Sequence, residues 1–173
     1  MASELFLNFH TNLDDDMQGS IFLFGAAGDE VRVRNGNGFD ETVTLNADGF
    51  ANVDVRDDDA MDSTGINNKG FQITSEADIS AIFSNRRGTS TDLSTIFDSE
   101  SLGTDYLIAS TGEAFGDGYG EGGQFSVQAT ADNTVVAVTL PNDQSFNVTL
   151  DAGESFKFAT GEAGQNADLG VEV

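Results

Sequence analysis

The sequence has 173 residues and contains no cysteine, no tryptophan, one proline and one histidine. Without cysteine, disulfides and thiolate metal sites are impossible. Because His10 is the only imidazole, sites with several histidine ligands are excluded, and a Ser-His-acid triad would have to use this residue. No stretch approaches the roughly 20 apolar residues of a membrane-spanning helix. These absences favour a protein that is not an enzyme and does not insert into a membrane.

Positive charge is also scarce. Seven Lys and Arg residues stand against 30 Asp and Glu, which gives a net charge of −23. A field of this sign repels nucleic acids and anionic lipid head groups and attracts cations and basic partners. Asp outnumbers Glu by 20 to 10, and there are only two Lys residues. This balance is typical of a marine or halophilic protein, and it excludes nucleic acid as a partner.

Short segments of alternating polarity, separated by clusters of Gly, Asn and Asp, predict an all-β chain. The clearest pattern is a hairpin in which Val31–Arg34 and Val43–Leu45 flank an Asn-Gly-Asn-Gly turn. The apolar run Ile21–Phe24 predicts a central strand that is buried on both faces. Tyr106–Ile108 predicts a further strand, and only Thr91–Phe97 permits a short helix, capped by Asp92. We therefore expect an antiparallel, jelly-roll-like β-sandwich with negligible helix.

An internal similarity indicates two repeated strand units. Thr42–Phe50 reads TVTLNADGF, and Asn147–Phe156 reads NVTLDAGESF. We predict one compact domain over residues 1–173, built from repeats at about 4–85 and 102–173, the second one strand short. An unpaired sheet edge would lie near Ala167–Val173, and strand exchange could pair it with Leu5–Phe9 of a neighbouring copy.

Four segments contain patterns of small, aromatic and β-branched residues that resemble the N-terminal domain of the IgGFc-binding protein family. The segments are Glu4–Asn12 (ELFLNFHTN), Lys69–Ser75 (KGFQITS) with Ile79–Phe83, Leu102–Ile108 (LGTDYLI) and Phe125–Val136 (FSVQATADNTVV). This family consists of β-rich extracellular modules of mucus proteins and bacterial surface proteins. The resemblance implies an extracellular or cell-surface location and a role as a scaffold.

Three acidic clusters are candidates for calcium binding, because Ca²⁺ prefers several carboxylate and carbonyl oxygens on irregular backbone. The candidate ligands are Asp57, Asp58, Asp59 and Asp62 in the first cluster, Asp14, Asp15 and Asp16 in the second, and Asp117 and Glu121 in the third. No cluster has the spacing of an EF-hand loop, so solvated acidic loops are the alternative interpretation.

Together these features predict a secreted or cell-surface β module that acts in cell adhesion or as a structural protein. It would self-assemble into an extracellular structure such as a filament. Its partners would be further copies in a homo-oligomer or polymer, or a surface glycan or protein. The alternative is a calcium-dependent carbohydrate-binding module in which Phe115 or Tyr119 contacts the sugar.

The charge generates a first test. We expect the chain to be more stable at moderate salt than at very low salt, because screening reduces the repulsion within a −23 chain. Thermal unfolding midpoints across a NaCl series at fixed pH and protein concentration would measure this. Unfolding midpoints that stay constant or fall as the NaCl concentration rises would contradict the halophilic interpretation.

Overall fold

The computed structural model describes residues 2–10, 18–88, 90–108, 124–140 and 143–159. These ranges contain thirteen strands, two short 3-10 turns at Asp57–Asp59 and Ser99–Ser101, and no α-helix. The strands are β1 (Ser3–Leu7), β2 (Gln18–Phe24), β3 (Glu30–Asn35), β4 (Asp40–Thr44), β5 (Phe50–Val55), β6 (Gly65–Asn67), β7 (Phe71–Ser75), β8 (Ser80–Arg87), β9 (Ser90–Ile96), β10 (Gln124–Gln128), β11 (Thr134–Thr139), β12 (Ser145–Leu150) and β13 (Ser155–Ala159). Every strand pairing is antiparallel, which confirms the predicted all-β class.

The chain divides into two compact units. Unit 1 comprises Met1–Asp62 and Asn68–Leu102, and unit 2 comprises Ser63–Asn67 and Gly103–Val173. The chain therefore passes from unit 1 to unit 2 at Ser63–Asn67, where the short strand β6 pairs with β13, and it returns to unit 1 at Asn68.

Unit 1 is a β-sandwich. Sheet A has the strand order β1-β7-β3-β4, and sheet B has the order β5-β2-β8-β9. Alternate side chains from both sheets form one buried cluster, in which Ile21, Leu23, Val33 and Phe71 have no exposed surface. The Phe9 ring lies 5.4 Å from the Phe71 ring and 4.6 Å from the Phe83 ring, so it links the two sheets. The sandwich prediction is confirmed for this unit.

The β3–β4 hairpin is formed as predicted, and a side chain organises its turn. The Asn35 carboxamide oxygen accepts hydrogen bonds from the backbone N–H groups of Asn37 and Phe39, each at 2.9 Å. The Asn35 N–H donates to the Phe39 carbonyl at 3.0 Å and closes the loop. Gly38 adopts φ +99°, a conformation that residues with a Cβ rarely adopt.

Unit 2 contains sheet C, with the strand order β10-β13-β6, and the separate hairpin β11–β12. The Phe146 ring of the hairpin lies 5.8 Å from the Phe156 ring and 5.6 Å from the Phe158 ring of sheet C. Phe125 on β10 lies 5.6 Å from Phe158. These aromatic contacts hold the hairpin against the sheet.

Both units contain a run of four strands with the same connectivity. In unit 1, β2 pairs with β5 and the intervening β3 pairs with β4. In unit 2, β10 pairs with β13 and the intervening β11 pairs with β12. Leu45 and Leu150, the matched residues of the sequence similarity, are both buried at the end of the third strand of their run, Leu45 directly after β4 and Leu150 as the last residue of β12. The duplication within one domain stays a prediction, and residues 167–173 lie outside the described ranges.

Two sequence predictions need correction. Thr91–Phe97 is not helical, because Ser90–Ile96 forms β9 and pairs along its length with β8, which buries Ile96 beside Ala81. Tyr106–Ile108 is not a strand. The Tyr106 hydroxyl bonds instead to the backbone of Gly103 at 2.8 Å, and no described strand pairs with this segment.

The strand Leu5–Phe9, predicted as a donor to a neighbour, contributes Leu5, Leu7 and Phe9 to the core of its own chain. Exchange of this strand between copies stays a prediction.

The turn before β5 generates a stability prediction. Gly49 adopts φ +72°, and a Cβ added there would overlap the carbonyl oxygen of Gly25, whose N–H donates to the Gly49 carbonyl at 3.0 Å. Gly38 also has positive φ, but open space surrounds it. We expect Gly38→Ala to lower the free energy of unfolding by about 1–2 kcal/mol, the cost of left-handed backbone alone. Gly49→Ala should lower it clearly further, because the overlap adds to the same backbone cost. Circular dichroism melts would compare them, and equal losses would contradict the predicted overlap.

Candidate interaction surface

The acidic cluster after β5 is tied to the β3–β4 hairpin. Asp57–Asp59 forms a 3-10 turn in which Asp59 is buried and accepts a hydrogen bond from the Asn35 carboxamide at 3.1 Å. The Asn37 carboxamide donates to the Asp58 carbonyl at 3.3 Å. One of the predicted calcium ligands therefore has a structural partner inside unit 1.

Asp62, the fourth member of that cluster, forms an ion pair with Lys69 at 3.4 Å. Within the described residues, no three Asp, Glu or His side chains come close enough together to hold a metal ion. Asp14, Asp15 and Asp16, and likewise Asp117 and Glu121, lie outside the described ranges. The calcium assignment stays a prediction.

An open groove of about 810 Å³ in unit 1 is lined by six carboxylates that the sequence did not group together. They are Glu4, Asp29, Glu30, Glu76, Asp98 and Glu100. Several of these side chains stabilise the backbone. Asp29 accepts from the Ala26 N–H at 2.9 Å, and Asp98 accepts from the N–H groups of Glu4 at 3.2 Å and Glu100 at 3.0 Å. The groove is therefore built in part from contacts between carboxylates and backbone N–H groups, two of them local and one, from Glu4 to Asp98, between distant parts of the chain.

The one cation that lines this groove is engaged by a neighbouring strand. Arg32 on β3 donates two hydrogen bonds to the Asp40 carboxylate on β4, at 2.8 and 2.6 Å. These bonds hold the pKa of Asp40 below its usual value. Because the pair is fully exposed, it adds little to stability, and the groove keeps its acidic character.

The outer face of sheet B carries the most exposed apolar surface of any sheet face in unit 1. Ile21 and Leu23 on β2 point into the core, so strand alternation places Phe22 and Phe24 on the opposite side. Phe22 is half-buried and Phe24 is 38% exposed. The sequence prediction that this run is buried on both faces was therefore wrong, because no described residue of unit 1 covers the outer side of β2.

The strand register gathers further apolar side chains beside these two rings. Phe50 on β5 lies opposite Phe24, Ile82 on β8 lies opposite Phe22, and Leu93 on β9 lies opposite Ser84. The Phe50 ring is 6.2 Å from the Phe22 ring and 5.5 Å from the Phe24 ring. Ile82 is 37% exposed and Leu93 is 68% exposed. We call Phe22, Phe24, Phe50, Ile82 and Leu93 the aromatic face.

Polar residues border the aromatic face. Asp54 on the edge strand β5 accepts hydrogen bonds from the Asn52 carboxamide at 2.7 Å and the Ser20 hydroxyl at 3.3 Å. Arg86 donates to the Gln18 side chain near the far end of β2. An apolar centre with a polar rim is the usual organisation of a protein interface. Phe97 directly follows the edge strand β9 and is 61% exposed, so it adds apolar surface at the β9 edge of sheet B.

His10 follows β1, and its backbone bridges to Met61 and accepts a hydrogen bond from the Asn85 carboxamide at 3.0 Å.

Within the described ranges, no helix is long and apolar enough to cross a membrane.

No family model, curated protein or solved structure matches this chain. The resemblance to the IgGFc-binding protein family therefore stays a prediction from the sequence motifs. Function has to be argued from the surfaces of the two units.

The acidic clusters generate a metal test. We expect millimolar CaCl₂ to raise the melting midpoint over that with chelator at matched ionic strength, because carboxylates near Asp57–Asp62 repel one another until a cation neutralises them. MgCl₂ at equal concentration is the control for screening by divalent ions. Identical midpoints in calcium and in chelator would remove the calcium assignment.

Proposed function

We propose that this chain is a non-enzymatic, secreted or cell-surface β module that acts in adhesion or self-assembly. The observation that carries the proposal is the aromatic face of sheet B. Three of its members are more than a third exposed, on a rigid four-stranded sheet. Contiguous apolar patches on soluble proteins commonly mark sites of protein association.

The energetics of the aromatic face favour association with another apolar surface. Full burial of one Leu or Phe side chain contributes about 1.5–3 kcal/mol. The face contains no charged residue, although the chain as a whole has a net charge of −23. Contact at this face would therefore avoid direct charge repulsion, while repulsion between the remaining surfaces would keep the chain dispersed at low salt.

A second copy of this chain is the partner that best fits these properties. Its aromatic face presents the same apolar centre, and the bordering Asp54 and Arg86 have opposite charges. A homo-oligomer or polymer outside the cell also agrees with the extracellular location that the family resemblance implies. Calcium, if it binds, would act by reducing the net negative charge of each copy.

The test is a double substitution on the aromatic face. We expect Phe24→Ser with Leu93→Ser to weaken self-association at moderate salt at least tenfold, because the two lost side chains together remove more than about 1.4 kcal/mol of burial from the contact. Sedimentation velocity over a range of protein concentrations would measure the change. Leu93 is 68% exposed, whereas Phe24 is 38% exposed and packs against Phe50, so the double variant should still unfold cooperatively with a somewhat lower melting midpoint.

Phe6→Ser is the matched control, because Phe6 is a half-buried aromatic residue on the outer face of sheet A. This variant should associate like the wild type. A wild-type chain that remains monomeric at high concentration, with and without calcium, would overturn the proposal. Binding of the monomer to immobilised glycans that disappears with chelator would support a calcium-dependent carbohydrate-binding module instead.

A further inference from the structure

The hairpin of unit 2 has an open edge on β11. The β11–β12 hairpin is a two-stranded sheet, and a hairpin of this kind is marginally stable unless a third strand or a packed layer supports it. Phe146 supplies packing on one face. Along its other edge, β11 has no hydrogen-bonded strand in the described part of the chain.

The equivalent strand of unit 1 is paired on both sides. β3 holds the same position as β11 in the shared four-strand connectivity, and it pairs with β4 on one side and β7 on the other. β12 corresponds to β4, which is itself an edge strand of sheet A. Among the described residues, the comparison therefore identifies the free side of β11 as an edge whose counterpart in unit 1 has a partner strand.

Charge distinguishes β11 from the edge strands of unit 1. Each of those four strands contains a carboxylate that discourages edge-to-edge pairing. The carboxylates are Glu4 on β1, Asp40 and Glu41 on β4, Asp54 on β5 and Asp92 on β9. β11 reads TVVAVT, with no charge and three β-branched valines, and Val135 is 63% exposed. A strand of this composition pairs readily.

Three other strands of unit 2 also have an uncharged edge in the described part of the chain, namely β6, β10 and β12. None of the five residues of β10 is exposed, β6 has only three residues, and β12 corresponds to the edge strand β4 of unit 1. β11 by contrast alternates between half-buried and exposed side chains, with Val135, Ala137 and Thr139 on its solvent face. β11 thus combines an exposed face with a counterpart in unit 1, β3, that is paired on both sides.

We infer that β11 pairs antiparallel with β11 of a second copy about a two-fold axis, forming a four-stranded sheet in the order β12-β11-β11-β12. An identical strand is a suitable partner, because two uncharged strands meet without like-charge contacts in any register. The two-fold axis keeps the solvent faces of both hairpins on the same side of the sheet. The new main-chain hydrogen bonds would satisfy the open edge.

This inference rests on the proposed self-assembly, and it names a second surface for it. The absence of native cysteine makes disulfide trapping a clean test. We propose three single variants on the solvent face of β11, Val135→Cys, Ala137→Cys and Thr139→Cys, oxidised alone and in pairs. Every two-fold register centred between Val135 and Thr139 brings at least one pair of these positions opposite each other, within disulfide distance, and the register centred on Ala137 brings two.

We expect one variant, or one mixture, to give most of its protein as a covalent dimer that dithiothreitol reverses. The pair that reacts reports the register. The controls are Thr149→Cys, Asn147→Cys and Ser145→Cys, which lie directly opposite the three test positions on β12 and share their solvent face. These controls should remain monomeric under the same oxidation, since they lie one strand away from the new contact.

Three outcomes separate this inference from the proposed function. Selective trapping through β11 supports the inference. A wild-type chain that self-associates while no β11 pair reacts, or while β12 positions react equally, overturns the β11 contact and leaves the proposed function standing. A chain that neither associates nor traps at any position overturns both.

Discussion

The geometry of a two-layer sandwich determines which side chains of unit 1 remain exposed. Each strand turns one set of alternate residues into the core, and the opposite set needs a further layer to be covered. Ile21, Leu23 and Phe83 are buried between sheets A and B. Phe22 and Phe24 are equally apolar, but no further sheet among the described strands of unit 1 lies over them. The aromatic face is therefore a direct consequence of an apolar run in a two-layer fold.

Charge decides which of the remaining surfaces can approach another copy. Repulsion within a −23 chain disfavours most orientations of two copies, and the carboxylates on the edge strands of unit 1 protect those edges specifically. Contact through the aromatic face or through the free edge of β11 avoids this repulsion, because neither contains a charged residue. On a largely acidic surface, association is restricted to the few uncharged patches. Specificity then arises from repulsion as well as from attraction.

Much of the fold could be predicted from the sequence, because strand alternation and turn residues act locally. The β3–β4 hairpin follows from its valines and the Asn-Gly turn. The sequence predictions were wrong where the secondary structure of a segment depends on whether another strand pairs with it. Thr91–Phe97 forms a strand because β8 is available to pair with it, and Tyr106–Ile108 has no described partner. Whether one face of Ile21–Phe24 is exposed depends on the number of layers that pack against its sheet, and a local sequence pattern does not specify that number.

The two surfaces differ in what they can build. Pairing of β11 about a two-fold axis uses the edge of both copies, so this contact closes as a dimer and cannot grow by itself. The aromatic face belongs to the other unit and shares no residue with β11, so it provides a second, independent contact. A chain with two different self-contacts can extend indefinitely, because each dimer made through one contact still offers the other. Growth beyond a dimer through these two surfaces would therefore need both contacts.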